Sequence, residues 1–139
     1  MGGCGVIGAV WVGILAALTP SANMASAMIA LDKCTKKNGA LFYYSKSQKL
    51  GILKHKSSFV PGSSQTLNDL KVLKKFKKTT PALNIGDILI HHCLVIHGSD
   101  KNNSNRSRVG LTVRYIGKSS KINQSAKLRY EKSLKKQLV

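Results

Sequence analysis

Acidic residues are scarce in this chain. Five Asp and Glu stand against 23 Lys and Arg, which gives a formal net charge of +18 and a pI near 10.2. Seven basic and two acidic residues occur through Asp69, and sixteen and three occur after it. Such a field attracts nucleic acid, anionic lipid or anionic metabolites without specificity. A lysine-rich composition bias would produce the same charge, so charge alone does not identify a partner.

Cysteines are few and far apart. Cys4, Cys34 and Cys93 form no CxxC pair, which argues against a disulfide framework and a zinc ribbon. A reducing compartment is the default for such a chain, so we expect a cytoplasmic location. A hydrophobic content of 42% excludes wholesale disorder, and 139 residues allow one domain.

The first thirty-one residues contain no Asp, Glu or His. Residues 5–18, GVIGAVWVGILAAL, are apolar but too short to span a bilayer comfortably. They resemble a signal-peptide core, with Ala25-Ser26-Ala27 as a small-residue cleavage site, but no positive residue precedes them. We expect residues 1–23 to be an apolar lead-in, either signal-like or not native to the domain, and we expect no membrane partner.

Short β-rich stretches joined by turns make up most of the remaining sequence. The predicted strands are SAMIALD, ALFYY, ALNIGDILIHH with a Gly-Asp turn in it, LVIH and VGLTVRYI, and Asn38-Gly39 is predicted as a hairpin turn. In the last strand, alternation places Val109, Leu111, Val113 and Tyr115 on one face. Residues 45–69 are predicted as a polar loop, and KVLKKFKKT as a short basic helix or an edge strand. The four-residue spacing of apolar residues after Lys121 predicts an amphipathic helix, so the whole pattern favours a sandwich or barrel with one helix outside.

The residues with the most informative chemistry lie between Gly86 and Tyr115. His97 ends one apolar run, and Arg108 opens another run eleven residues later. A histidine can bind a metal, and a guanidinium can bind a carboxylate through two hydrogen bonds. On neighbouring strands, these two side chains could hold opposite ends of one small chelating acid.

This segment resembles the phytanoyl-CoA dioxygenase family, iron(II)- and 2-oxoglutarate-dependent oxygenases with a double-stranded β-helix (jelly-roll) core. A late block and an earlier block both match, and together they cover residues 24–117. The late matches are Gly86-Asp87, Leu89, His97-Gly98-Ser99, Asn102, Ser104, Arg108 and Tyr115. The early matches are Ala30-Leu31-Asp32, Asn38-Gly39, Leu41, Ser47, Lys49, Gly51, Leu53 and His55. The resemblance implies a mainly β, cupin-like jelly-roll domain over residues 24–117, incomplete at the amino end, and a basic C-terminal helix follows over residues 118–139.

The resemblance also implies the chemistry of a site. His97 would be the distal histidine ligand of iron(II), and Arg108 would bind the remote carboxylate of 2-oxoglutarate with help from the Ser99 hydroxyl. The implied cofactors are iron(II) and 2-oxoglutarate, and the implied partners are dioxygen and a small organic substrate. The implied reaction decarboxylates 2-oxoglutarate to succinate and hydroxylates the substrate. No residue beyond the metal site is implied to be catalytic.

Two departures from the family pattern matter. The family's Pro-Gly-Ser-His-Lys segment reads Ser45-Lys46-Ser47-Gln48-Lys49 here. The family's other two iron ligands, a His-x-Asp pair, would fall near Ala9 to Trp11, where no side chain binds iron. A facial triad needs two histidines and one carboxylate. We therefore expect a truncated or inactive representative that performs no coupled turnover.

The same residues allow other interpretations. A zinc site could draw on His91, His92, Cys93 and His97, but adjacent residues of a strand face opposite ways, so His91 and His92 cannot both join His97. Cys93 within an apolar run is typical of a packing residue rather than a thiol nucleophile. A small basic binding module for nucleic acid or another anionic partner is the main alternative, although it lacks interleaved aromatics for base stacking and a specific nucleic-acid partner is not expected. A secreted or tethered jelly-roll protein without catalysis is a third.

Overall fold

The computed structural model describes residues 10–11, 23–60 and 63–136. Within these ranges the fold is mainly β, with antiparallel sheets and one C-terminal helix, as predicted from the sequence. The strands are β1 (Val10–Trp11), β2 (Met24–Ala30), β3 (Leu41–Tyr44), β4 (His55–Val60), β5 (Ser63–Leu67), β6 (Lys78–Thr79), β7 (Ile88–His92), β8 (His97–Ser99) and β9 (Gly110–Ile116), and the helix is α1 (Gln124–Lys135). Apart from β1 and Asn23, the predicted lead-in over residues 1–23 lies outside the described residues.

β2 is the centre of a three-stranded sheet with the order β7-β2-β9. Because alternate residues of a strand share a face, Met24 and Met28 lie together on its inward face, where they are 6% and 3% exposed. The opposite face of the sheet is apolar and exposed, with Ile90 on β7 and Leu111 and Tyr115 on β9. The alternation predicted for β9 is therefore confirmed, but the apolar face that it creates lies away from the core.

A four-stranded sheet with the order β1-β8-β3-β6 faces the interior from the other side. β3 and β8 pair in the register Leu41↔Ser99, Phe42↔Gly98 and Tyr43↔His97. A buried apolar cluster joins the sheets and comprises Met24, Leu67, Cys93, Leu94 and Ile96. Burial raises the pKa of the Cys93 thiol, which agrees with the packing role predicted for it.

The Asn38-Gly39 dipeptide does not form the predicted hairpin turn, because β2 and β3 belong to different sheets. Instead, Thr35 caps a short 3-10 helix over Lys36–Asn38, and its backbone N–H donates to Asn38 Oδ1 at 2.7 Å. Gly39 then ends this helix with φ +78°, and a Cβ there would lie 2.8 Å from the Asp100 carbonyl oxygen. Glycine is required at this position for both reasons.

Two other local predictions need correction, and a third is satisfied in both of its alternative forms. The predicted polar loop contains the β4–β5 hairpin, whose Ser-, Thr- and Gln-rich strands lack the apolar alternation that would reveal them. The KVLKKFKKT segment forms both alternatives, a 3-10 helix over Lys71–Lys75 and then the edge strand β6. The strand predicted at LVIH begins only at His97, because Val95 N–H donates to the His92 carbonyl in a turn.

The predicted C-terminal helix is present as α1. Its more buried side consists of Ala126, Tyr130 and Leu134, each half-buried. The Ser133 hydroxyl lies 2.8 Å from the Ser57 hydroxyl of β4, which ties the helix to the β4–β5 hairpin. Across residues 10–11, 23–60 and 63–136, no helix is long and apolar enough to cross a membrane.

Ser47 supports the strand that contains His97, and this predicts a loss of stability on its substitution. The Ser47 hydroxyl is fully buried and accepts a hydrogen bond of 2.8 Å from the Ile96 N–H. We expect Ser47→Ala to lower the free energy of unfolding by about 1–3 kcal/mol, because the buried N–H loses its acceptor. Chemical denaturation measures this change, with the exposed Ser45→Ala as the control. Equal stability of the two variants would contradict the assignment.

Candidate functional site

His97 lies at the beginning of β8 and is only 8% exposed. Its Nδ1 atom lies 2.8 Å from the Val95 carbonyl oxygen, so Nδ1 carries the proton and donates it, and Nε2 carries the lone pair of the neutral ring. Burial lowers the pKa of His97, the bond to Val95 opposes this shift, and the charge of Arg114 adds to it. The side chain is therefore a neutral imidazole at neutral pH.

Two further rings lie against His97. The Tyr43 ring stacks on it with a centroid distance of 5.9 Å, and the His91 ring of β7 lies 4.8 Å from it across the interior. Tyr43 and His91 are themselves 5.1 Å apart. The Tyr43 hydroxyl and His91 Nδ1 are buried and have no hydrogen-bond partner among the described residues. Buried polar atoms without partners are rare, and they are characteristic of a site that a ligand or water completes.

The electrostatics of this ring cluster keep its members uncharged. Burial lowers the pKa of His91 to about 4, and the charges of His97, Arg114 and His92 add to the shift. Burial also raises the pKa of Tyr43 to about 12, although the nearby charge of Arg108 partly opposes this. The cluster thus presents neutral hydrogen-bonding groups beside arginine cations.

Arg108 occupies a backbone segment that is fixed on both sides. Asp32 accepts from the Ser107 hydroxyl at 2.6 Å and from the Val109 N–H at 2.8 Å, and these bonds lower the pKa of its carboxyl. Asn38 Nδ2 also donates to the Ser107 carbonyl at 3.1 Å. Asp32 and Asn38 are therefore positioning residues for Arg108, and this explains physically why the Ala-Leu-Asp and Asn-Gly motifs accompany the arginine.

Strand β8 and the Tyr43 ring relate the three predicted site residues to one another. Ser99 is 4% exposed and follows His97 by two residues on β8, so both side chains project from the same face of the sheet. Arg108 is half-buried and close enough to Tyr43 for its charge to act on the hydroxyl, while Tyr43 stacks on His97. The roles assigned to His97, Ser99 and Arg108 remain predictions. His97 and Ser99 belong to the same strand, and His97 and Arg108 both lie near Tyr43.

The residues present do not fit an iron(II) facial triad. The 139 residues contain no His-x-Asp or His-x-Glu sequence. Within the described part of the chain, no three His, Cys, Asp or Glu side chains are grouped so that they could hold a metal ion. The carboxylate closest in sequence to His97 is Asp100, and it pairs with Lys78 at 2.9 Å. His92, as predicted from strand alternation, is exposed and does not join His91 and His97.

No acidic side chain neutralises the site. Each of the five acidic residues has another interaction among the described residues: Asp32 with Ser107 and Val109, Asp69 with Lys71, Asp87 with Asn84, Asp100 with Lys78, and Glu131 with Lys127. Arg108 and Arg114 consequently have no carboxylate partner in residues 10–11, 23–60 and 63–136. An arginine-lined region with neutral imidazoles favours an anionic ligand.

A wide cleft elsewhere has a structural explanation. It has a volume of about 770 Å³ and is lined by residues of the 32–38 and 104–107 segments together with Ile85. Neither His97 nor Arg108 lines it. Four of its polar side chains bond to one another, since the Ser107 hydroxyl donates to Asp32 and the Thr35 hydroxyl donates to Asn38. The unpartnered groups at Tyr43 and His91 are therefore the stronger sign of a ligand site.

Sequence reasoning missed Tyr43 and the positioning roles of Asp32 and Asn38. Tyr43 belongs to an aromatic strand with no motif of its own, so only its pairing with His97 reveals it. Asp32 and Asn38 belong to the early block that resembles the family. Their distance in sequence from Arg108 gives no indication of the hydrogen bonds that fix the backbone beside the arginine.

Comparisons with known proteins agree with this fold. Apo EctD from S. alaskensis has a TM-score of 0.68 at 16% identity, covering 87% of this chain and 43% of EctD. The non-heme alpha ketoglutarate dependent carbocyclase SnoK from nogalamycin biosynthesis has a TM-score of 0.65 at 18% identity, covering 84% and 46%. The epimerase SnoN, solved with Fe3+, alpha ketoglutarate and nogalamycin RO, has a TM-score of 0.65 at 16% identity, covering 84% and 44%.

These likenesses establish the fold, and this chain spans less than half the length of each of the three structures. No curated protein matches the sequence. The phytanoyl-CoA dioxygenase (PhyH) family matches residues 13–110, which include β2 through β8, His97, Ser99 and Arg108. The chain therefore belongs to the phytanoyl-CoA dioxygenase family and has the fold of its iron- and 2-oxoglutarate-dependent oxygenases.

Proposed function

We propose that this chain is the 2-oxoglutarate-binding part of an oxygenase whose reaction hydroxylates a small organic substrate. Arg108 binds the remote carboxylate of 2-oxoglutarate, Ser99 donates its hydroxyl to the same group, and the His97 imidazole faces the keto-acid end. The observation that carries the proposal is the common environment of Tyr43, which stacks on His97 and experiences the charge of Arg108.

The physical fit of Arg108 to a carboxylate is good. A planar guanidinium presents two parallel N–H donors to the two carboxylate oxygens, and partial burial strengthens this contact. Because no carboxylate within residues 10–11, 23–60 and 63–136 pairs with Arg108, an incoming dicarboxylate displaces no partner there. Asp32 and Asn38 hold the backbone on either side of the arginine, so its position is fixed before the ligand binds.

Hydroxylation by this family depends on iron, and these 139 residues do not provide its ligands. His97 corresponds to the family's distal histidine and retains a lone pair at Nε2, but one histidine does not bind iron(II) usefully. We therefore assign ligand binding to this chain and assign no chemical step to it.

The proposal predicts binding without turnover. We expect 2-oxoglutarate to shift the backbone and ring resonances of Ser99, Tyr43 and His97 saturably in an NMR titration of the 139-residue chain. With iron(II), dioxygen and 2-oxoglutarate together, we expect succinate to form no faster than in a protein-free control, because the triad is incomplete. 2-Oxobutyrate, which lacks the remote carboxylate, serves as the matched ligand and is expected to bind at least tenfold more weakly.

Two results would contradict the proposal. Equal affinities for 2-oxoglutarate and 2-oxobutyrate would show that Arg108 does not recognise the remote carboxylate. Succinate formed at an enzymatic rate would show that the chain assembles a metal site that its residues do not indicate.

A further inference from the structure

A second arginine, Arg114, faces the same interior region and is not used by the proposed 2-oxoglutarate contacts. It lies on β9, and both Arg114 and His91 pair with Ser26 of the strand between them. Residues opposite one another in a sheet project from the same face, and strands two apart are separated by about 10 Å. Arg114 and His91 therefore flank Ser26 on the inward face that Met24 and Met28 bury.

The positions of the neighbouring rings connect Arg114 to His97. The His91 ring is 4.8 Å from the His97 ring. Arg114, Ser26 and His91 therefore form a row across the sheet whose His91 end lies beside the predicted ligand site. The charge of Arg114 lowers the pKa of both histidines, which agrees with this placement. His91 Nδ1 is buried and has no hydrogen-bond partner among the described residues, whereas Arg114 is exposed to solvent. The pair therefore offers an accessible positive charge and, beside it, a buried neutral group that can form a hydrogen bond.

We propose that Arg114 and His91 form a second anion-binding position, and that the substrate of this site carries a carboxylate. A substrate carboxylate would bind the Arg114 guanidinium and accept a hydrogen bond from the His91 tautomer that carries its proton on Nδ1, next to the position that 2-oxoglutarate occupies. The identification of this anion as the substrate rests on the proposed function, in which 2-oxoglutarate occupies the neighbouring position. Arg108 and Arg114, which have no carboxylate partner among the described residues, would thus bind one acid each.

The test uses benzoate and its neutral isostere benzamide with the 139-residue chain, followed through the ring resonances of His91 by NMR. We expect benzoate to shift these resonances saturably and benzamide to leave them unchanged. We expect Arg114→Gln to weaken benzoate binding at least tenfold. Arg129→Gln, on the exposed surface of α1, removes the same charge and is expected to change the affinity less than twofold. Thermal unfolding of both variants verifies that they are folded.

Several outcomes would overturn the inference. Equal losses in Arg114→Gln and Arg129→Gln would mean that net charge alone attracts benzoate. Loss in Arg108→Gln with retention in Arg114→Gln would mean that benzoate occupies the 2-oxoglutarate position. If inorganic phosphate binds at Arg114 more tightly than benzoate does, the site recognises a phosphate, and the proposal that the substrate carries a carboxylate is wrong. If benzoate binds as expected while 2-oxoglutarate does not bind at all, the proposed function fails and the Arg114 anion site stands by itself.

Discussion

Replacing Arg108 with glutamine is expected to weaken 2-oxoglutarate binding by between about tenfold and a hundredfold. Hydrogen bonds to charged groups contribute about 1.5–3 kcal/mol, and glutamine retains neither the charge nor the paired donors. Arg108→Lys keeps the charge without the planar fork and is expected to give an intermediate affinity. Isothermal titration or NMR measures the dissociation constants.

The controls for this prediction separate a specific contact from the general field of the chain. With a net charge of +18, the protein attracts any anion weakly, so a charge-matched variant is essential. Arg129→Gln removes one positive charge from α1 and is expected to bind 2-oxoglutarate within twofold of the unmodified chain. 2-Oxobutyrate binding is expected to be equal in the unmodified chain and in Arg108→Gln, since this ligand has no remote carboxylate. If Arg108→Gln binds 2-oxoglutarate as the unmodified chain does, the assignment of Arg108 is wrong.

Acidification from pH 7 to pH 4.5 is expected to destabilise the fold through its buried histidines. The pKa of His91 falls from 6.5 in the unfolded chain to about 4 in the folded one, and burial lowers that of His97 as well. Between these pH values the unfolded chain binds more protons than the folded chain, so stability is fully present above about pH 6.5 and is lost as the pH falls towards 4. His91 contributes less than the roughly 1.4 kcal/mol per pH unit of a fully shifted group, because solvent partly screens its ring.

Urea denaturation at pH 7 and at pH 4.5 tests this expectation. His91→Gln removes one titrating group and should reduce the loss of unfolding free energy between the two pH values by about 1–2 kcal/mol, because solvent partly screens this ring. His92→Gln is the matched control, because His92 is the exposed neighbour on the same strand. The pH range stops above the pKa of Asp32, which its hydrogen bonds lower and whose own contribution disappears only in stronger acid. Identical pH dependence in the two variants would refute the placement of His91.

Much of the site could be predicted because its motifs are local in sequence. The His97-Gly98-Ser99 tripeptide and Arg108 lie within twelve residues, and strand alternation alone places His97 and Ser99 on one face. The same alternation correctly separated His91 from His92. The β4–β5 hairpin was missed because its polar strands lack a hydrophobic period, and the Asn38-Gly39 turn was misassigned because a hairpin and a capped 3-10 helix share the same dipeptide.

By itself, the sequence determined the mainly β fold, the family, the charge of +18 and the absence of a His-x-Asp pair, since these depend on periodicity and residue identity along the chain. Only the tertiary structure decided which side chains meet. Tyr43 and His91 come from β3 and β7, and both rings lie against His97 because two sheets pack face to face. Strand order and sheet packing bring together residues as distant in sequence as Asp32 and Val109, seventy-seven positions apart, and no local pattern encodes that proximity.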